Sequence, residues 1–91
     1  MTASLYLPAV LRPTAAGQAI LPVAAGTVGG ALDGLHASWP LLERRLRDEQ
    51  GAVRQHIRIY LEDTDIADLS GLATALPEGA RLHIIPAISG G

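Results

Sequence analysis

The sequence predicts a small α+β domain in which one main helix crosses a single mixed sheet of four to five strands. Apolar residues alternate in several short segments, which is typical of strands, and recur at helical spacing in one longer segment. A chain of 91 residues buries one thin core of two layers. The predicted order is strand, strand, helix, strand, loop, strand, and a helix packed on one sheet buries the apolar faces of both.

Two apolar segments at the front of the chain predict a β-hairpin. Residues 4–11 form the first predicted strand and residues 18–24 the second. A predicted turn at residues 13–17 is short, which favours antiparallel pairing. Because proline cannot donate a ladder hydrogen bond, Pro8 predicts a strand end or bulge, and Pro22 predicts an edge strand.

The main helix is predicted to follow Thr27, which is a good N-cap. Apolar residues then recur on one helical face, at Val28, Ala31, Leu32, Leu35 and Trp39. Three glycines in the same segment, Gly29, Gly30 and Gly34, would allow the helix to lie close to the sheet. Pro40 is expected to end or kink the helix, and residues 41–46 predict a second, shorter helical piece.

The clearest strand pattern lies at residues 55–61, where Ile57, Ile59 and Leu61 alternate with His56, Arg58 and Tyr60. Residues 62–80 are predicted to be mostly irregular and to be anchored by Leu69, Leu72 and Leu76. They end in a predicted β-turn from Leu76 to Gly79.

The last predicted strand covers residues 81–86, with Leu82 and Ile84 facing the core. Residues 1–86 therefore form the predicted domain, and residues 87–91 are expected to be a flexible C-terminal tail.

Composition argues against several classes of function. The net charge is −2 and the arginines form no long basic run, so nucleic acid is an unexpected partner. No run of about 18 apolar residues exists that could span a membrane, and the first residues lack the positive charge of a signal peptide. We therefore expect a cytoplasmic protein. The three histidines lie on separate predicted elements without carboxylates at ligand spacing, so no metal site is expected.

The chain has no cysteine, and all seven of its basic residues are arginine. The absence of cysteine excludes disulfides and thiol catalysis within the chain. The absence of lysine excludes polymers in which copies of this protein are joined through their own lysine side chains. One interpretation is that an activated C-terminus would find no internal thiol or amine to attack it. Another is the codon preference of a GC-rich genome.

The chain ends in Gly90 and Gly91, directly after the last predicted strand. Gly91 has a main-chain carboxylate with no side chain beside it, and such an end can enter a narrow channel. The carboxylate could be activated as an acyl-adenylate and then hold sulfur or join an amine. The alternative is an ordinary frayed terminus of small residues.

The strand at residues 56–61, acidic Glu62 and Asp63, and the terminal pattern resemble the ThiS/MoaD sulfur-carrier family, whose fold is the ubiquitin-like β-grasp. The terminal residues that carry this resemblance are Leu72, Leu76, Glu78, Gly79, Leu82, Ile84, Pro86, Gly90 and Gly91. Residues 7–13, Gly17 and Gln18, and the segment from Trp39 to Leu46 are similar to the carriers that pair with a cysteine synthase in actinobacteria. Ala80, Ile88 and Ser89 depart from the common family pattern.

The resemblance implies a carrier with no catalytic residue of its own and no bound cofactor, monomeric when free. An E1-like enzyme of the MoeB/ThiF type would adenylate Gly91 with ATP, and sulfur would then replace AMP to give a thiocarboxylate. A cysteine synthase is the expected acceptor, and a JAMM-type metalloprotease is a further candidate partner. Alternatives are a molybdopterin synthase small subunit, a thiazole-forming carrier, a modifier joined to lysines of other proteins, and a binding module with an inert tail.

Two groups of residues are predicted to contact these partners. The first is the tail, at Ala87, Ile88, Ser89 and Gly90. The second is a docking patch of Arg58, Tyr60, His83 and Ile85, which share the sheet face away from the helix if their two strands are neighbours. Tyrosine and arginine are enriched at contact hot spots, although an ordinary outer sheet face would show the same alternation.

Overall fold

A computed structural model describes residues 1–86, which form a mixed five-stranded sheet with helices packed against one face, as predicted. The strands of this sheet are ordered β2-β1-β7-β4-β5. Their bounds are β1 (Thr2–Tyr6), β2 (Ile20–Ala24), β4 (Ile57–Leu61), β5 (Thr64–Asp65) and β7 (Arg81–Pro86). Two short strands, β3 (Gly26–Thr27) and β6 (Ala75–Leu76), pair separately. The predicted tail at residues 87–91 lies outside the described residues.

The centre of the sheet is the parallel pair of β1 and β7, and the other strand pairs are antiparallel. Leu5 of β1 lies opposite Leu82 of β7, and both side chains are fully buried. The core around them is aliphatic, and its largest fully buried side chains are Leu5, Leu21, Leu32, Leu42, Leu46, Ile59, Leu76, Leu82 and Val28. The chain has no phenylalanine, so leucine, isoleucine and valine fill the space between sheet and helices.

The predicted hairpin of β1 and β2 is confirmed, and β2 lies at the edge of the sheet as Pro22 predicted. Pro22 lies opposite Ser4, whose N–H donates to the Ala80 carbonyl on the far side of β1. The Ser4 N–H therefore points away from β2, and Ser4 and Pro22 form a non-hydrogen-bonded pair. The Pro22 nitrogen faces solvent at the edge of the sheet, so no ladder hydrogen bond is lost there.

The first strand was predicted to extend to residue 11, which was wrong, because β1 ends at Tyr6. The predicted turn at residues 13–17 is confirmed only at residues 16–17. Ala9–Ala15 form a 3₁₀ helix, preceded by Pro8 in extended conformation and containing Pro13. The fixed φ of proline suits a helical turn as well as a strand end, and the Leu7 carbonyl accepts a hydrogen bond from Arg12 Nε at 3.2 Å. Strand pairing therefore stops earlier than the apolar pattern indicated.

The helices begin and end near the predicted residues. Helix α1 covers Val28–Ser38, and its N-cap Thr27 accepts a hydrogen bond from the Gly30 N–H at 3.0 Å. Helix α2 covers Pro40–Leu46, with proline in its first turn, where the N–H is not needed.

The glycines of α1 do not bring it close to the sheet, which corrects the prediction. Only Gly29 makes a close approach to another element. A Cβ atom on Gly29 would lie 3.1 Å from the Leu72 carbonyl oxygen, in the connection after β5.

In the second half of the chain, β4 and β7 are confirmed, but β4 begins at Ile57 and not at residue 55. The Ile57 N–H donates to the Arg54 carbonyl at 3.0 Å, so the two residues before the strand belong to a turn. Ile57 and Ile59 are buried and Leu61 is half-buried, in agreement with the predicted alternation.

The segment at residues 62–80 has more regular structure than predicted. It contains β5 and β6 and two 3₁₀ turns, Ile66–Asp68 and Gly71–Ala73. Leu69 was wrongly predicted as an anchor, because its side chain is 46% exposed, whereas Ile66 is buried. The β-turn is displaced by one residue: the Ala80 N–H donates to the Pro77 carbonyl, so Gly79 occupies the third position with φ +80°.

We predict that Gly79→Ala lowers the free energy of unfolding by about 1 kcal/mol or more, since an L-residue in the left-handed region is strained. The matched control is Gly34→Ala on α1, where a Cβ atom meets nothing within 4 Å. That change should raise stability by up to about 1 kcal/mol. Urea unfolding of both variants measures the difference, and equal shifts of the same sign would contradict the assignment of the turn.

Arg47 connects the two helices at the end of α2. Its side chain is 10% exposed, and it forms ion pairs with Asp33 of α1 at 2.8 Å and with Glu43 of α2 at 3.0 Å. The same residue forms an isolated β-bridge to Val53. The Arg47 guanidinium thus joins α1 to α2, and the Arg47 backbone joins the end of α2 to the loop that leads to β4.

Arg47→Ala should therefore lower the free energy of unfolding by about 2–3 kcal/mol, because it removes these pairs and leaves the largely buried Glu43 with the exposed His36 ring as its remaining side-chain partner. Arg45→Ala, on the exposed side of the same helix, is the control and should change stability by less than about 0.5 kcal/mol. Thermal and urea unfolding measure both, and an equal effect at both positions would show that Arg47 has no special structural role.

Candidate functional site

The end of strand β7 is the point from which the predicted tail continues. Pro86, the last residue of β7, lies opposite Ile57, the first residue of β4. β1 pairs with the first half of β7, at Arg81–His83, and β4 pairs with β7 along its length, so the Pro86 end is held by β4. The predicted tail residues Ala87, Ile88, Ser89, Gly90 and the terminal Gly91 lie outside the described residues.

The structure brings together all four residues of the predicted docking patch. Strands β4 and β7 are antiparallel neighbours, with Tyr60 directly opposite His83 and Arg58 directly opposite Ile85. Their neighbours along β7, Leu82 and Ile84, are buried against the helices. The four patch side chains therefore lie on the outer face of the sheet.

This outer face includes an aromatic contact that the sequence analysis did not find. Tyr6 of β1 lies beside His83, with ring centroids 4.8 Å apart and ring planes inclined by 31°. Ile20 of β2 lies opposite Tyr6 and is 48% exposed. A row of Ile20, Tyr6, His83 and Tyr60 thus crosses four strands. Only the parallel pairing of β1 with β7 creates this row, and no local pattern in the sequence predicts that pairing.

A shallow groove runs over this face beside the row, with a volume of about 640 Å³. It is lined by Tyr6, Leu7, Pro8, Arg12, Tyr60, Glu62, Asp63, His83, Ile84 and Ile85. Ile85 is 43% exposed, so an apolar side chain is presented to solvent near the end of the central strand. Apolar and aromatic surface of this kind, with polar groups around it, is typical of a protein contact surface.

Two ion pairs border the patch. Arg58 Nη1 lies 3.5 Å from Asp65 Oδ2, and Arg81 Nε lies 3.2 Å from Glu62 Oε1. Glu62 also accepts a hydrogen bond from the Arg81 N–H at 3.0 Å. The Arg81–Glu62 pair is exposed on both sides, and such pairs stabilise a fold by about 0–1 kcal/mol, so Arg81 can exchange its carboxylate for that of a partner at little cost. Arg58 is exposed, but its partner Asp65 is largely buried.

The described residues offer contact surface and no cluster suited to hold a metal ion. No group of three or more His, Asp or Glu side chains in residues 1–86 has the geometry of a metal site. Within the same residues, no helix has the length and apolar character needed to cross a membrane.

Comparison with known proteins finds one matching family and relatives that cover most or all of the chain. The model of the ThiS family matches residues 5–91. The chain is 32% identical over 93 residues to the sulfur carrier protein CysO of Mycobacterium tuberculosis, and the match covers 100% of both chains. It is also 35% identical over 65 residues to small archaeal modifier protein 3 of Haloferax volcanii, which covers 71% of this chain and 70% of that protein.

Solved structures agree with this assignment. The crystal structure of M. tuberculosis CysO superposes with a TM-score of 0.87 at 31% identity, covering 94% of this chain and 99% of that one. A complex of BexX and CysO from Amycolatopsis orientalis gives a TM-score of 0.88 at 26% identity, with 98% and 99% coverage. The fold is therefore the ubiquitin-like β-grasp, as the resemblance implied.

Proposed function

The chain belongs to the ThiS family, and from this we propose that it is a sulfur carrier whose Gly91 carboxylate is converted to a thiocarboxylate. The observation that carries the proposal is the Gly90–Gly91 pair, which in the sequence follows Pro86, the last residue of β7, by four and five residues. Full-length similarity to a sulfur carrier protein supports the same conclusion. In this function the chain supplies a terminal atom, and its partner enzymes supply the catalysis.

The proposed chemistry takes place at one carbon atom. An oxygen of the ionised Gly91 carboxylate attacks the α-phosphorus of ATP in an E1-like enzyme, and pyrophosphate leaves. A sulfur donor then attacks the carbonyl carbon of the acyl-adenylate, and AMP leaves with the C–O bonding electrons. ATP belongs to the activating enzyme, so the carrier itself needs no bound cofactor. Gly90 and Gly91 have no Cβ atoms, so we propose that the end can enter a narrow active site. Ala87, Ile88, Ser89 and Gly90 are the residues proposed to contact the enzyme as Gly91 enters.

The outer sheet face is the proposed docking surface for the E1-like enzyme. His83 and Ile85 lie on β7, which the tail follows in the sequence, and Arg58 and Tyr60 lie on its neighbour β4. Contact there places Gly91 near the bound enzyme. Tyr6 extends the patch on the other side of His83. Aromatic side chains have few rotatable bonds and lose little conformational entropy on binding, and arginine is enriched at contact hot spots, which favours both as anchors.

The proposed acceptor is a cysteine synthase in the cytoplasm, with a JAMM-type metalloprotease as a further partner. Similarity to CysO over the whole chain supports cysteine biosynthesis over molybdopterin or thiazole synthesis.

A second candidate function is protein modification. Two comparisons favour it: small archaeal modifier protein 3, described above, and the crystal structure of SAMP1 from H. volcanii, with a TM-score of 0.80 at 30% identity over 100% of both chains. In that function the activated Gly91 would form an amide with an amine of another protein. The same activation step precedes both outcomes, so the product distinguishes them.

We predict that incubation with ATP, a cognate E1-like enzyme and sulfide converts the chain to a species in which one oxygen is replaced by sulfur. Intact-mass spectrometry measures the product. A chain that ends at Ser89 is the matched control, because it retains residues 1–86 and loses only the glycine pair; it should remain unmodified.

Larger adducts that survive thiol treatment would favour the modifier function. A native chain that keeps its carboxylate while the enzyme activates a known substrate would overturn both proposals.

Ile85→Asp should raise the KM of the activating enzyme for the carrier by about tenfold or more, because it places a charge in the apolar part of the patch. Leu41→Asp on α2 is the control: Leu41 is 52% exposed, comparable with Ile85, and lies on an element that packs against the opposite face of the sheet. Activation kinetics at equal enzyme concentration measure both. An unchanged KM for Ile85→Asp, or an equal rise for both variants, would show that the enzyme docks elsewhere.

A further inference from the structure

The side chains of this protein offer its own C-terminus no good acceptor. Amines and thiolates attack an activated carboxyl group readily, and the chain has neither lysine nor cysteine. Its seven basic residues are arginines, whose guanidinium groups stay protonated and are not nucleophilic at neutral pH. This property holds whether its origin is selection or codon preference.

The remaining amine, on the main chain at Met1, lies at the far end of the sheet. Because β1 and β7 are parallel, with Ser4 opposite Arg81, Met1 precedes this level while Pro86 follows it. The two positions are separated by eight residue levels along the strands, or about 26 Å. The five residues from Pro86 to Gly91 can span at most about 18 Å. A tail of that length does not reach the Met1 amine of its own chain.

We propose that this fold is inert toward its own activated terminus, so that the Gly91 acyl group passes only to another molecule. The proposal rests on the proposed function, since it concerns the state in which Gly91 is activated. Antiparallel pairing of β1 with β7 would instead place both ends of the chain on one side of the sheet. The parallel pair and the absence of lysine and cysteine therefore act together.

The reaction that the fold avoids is an intramolecular aminolysis. The nitrogen lone pair of an amine would attack the acyl carbon, and the bond from that carbon to its leaving group would break. The leaving group would depart with the bonding electrons and take up the proton released by nitrogen. The product would be a ring closed by an amide, lighter by one water than the free acid and unable to carry sulfur.

The experiment uses the full chain with Gly91 as a thioester of a small thiol, prepared by intein cleavage, so no activating enzyme is required. The test variant is His56→Lys, because His56 is exposed and adjoins Ile57, the partner of Pro86. The control is Ala24→Lys, at an exposed position on the edge strand β2, opposite Thr2. From the strand spacings it lies about 25 Å from Pro86, beyond the length of the tail.

We expect the unchanged chain and Ala24→Lys to lose the thioester by slow hydrolysis to the free acid. His56→Lys should lose it about tenfold faster or more, because a nearby amine acts at millimolar effective concentration, and should give the ring product. Intact mass detects the loss of water, peptide mapping locates the amide, and circular dichroism checks that all three proteins are folded.

Ring formation in the unchanged chain would overturn the proposal. Hydrolysis of His56→Lys at the unchanged rate would overturn it too, because lysine near the strand end would then pose no hazard. Equal ring formation by both lysine variants would refute the argument from reach. Since the thioester is made chemically, none of these results depends on whether an enzyme activates Gly91.

Discussion

The parallel pairing of β1 with β7 is the contact on which the rest of the structure depends. It joins the first and last strands of the described chain and places β7 between β1 and β4. On the inner face it sets Leu5 opposite Leu82 at the centre of the core, and on the outer face it sets Tyr6 opposite His83. Because side chains alternate along both strands, one register determines the core and the contact surface together, and a slip of one residue would exchange them.

The same pairing gives the proposed terminal chemistry a fixed origin. Pro86 ends a strand whose first half lies between β1 and β4 and whose last residues pair with β4, so β4 holds the point from which the last five residues follow. A docking surface on β4 and β7 then lies at a constant distance from that point. Recognition by the outer face and delivery of the terminus thus depend on one rigid unit, which is the arrangement that favours positioning of a reacting group.

Sequence patterns predicted those parts of the fold in which local and tertiary preferences agree. Residues of β4 and β7 alternate between core and solvent, and Thr27 caps α1 as its side chain allows. The strand prediction for residues 9–11 was wrong because prolines suit both a strand end and a 3₁₀ turn, and tertiary packing selects the 3₁₀ turn here. Ile66 replaced Leu69 as an anchor because a short turn, invisible to periodicity, selects the buried side chain. Tyr6 was missed because its neighbour His83 is distant in sequence.

The contact surface and the reactive end therefore differ in what their chemistry requires. A surface that binds several enzymes needs aromatic and arginine side chains that are accessible to a partner. The side chains of Arg58 and Arg81 are more than half exposed and meet this requirement. A terminus that becomes activated needs surroundings without amines or thiols. Arginine satisfies both demands at once, since it binds carboxylates and stacks on aromatic rings yet does not attack an acyl carbon. Because all seven basic residues are arginine, the chain has positive charge for recognition and no side-chain amine that could attack its own activated terminus.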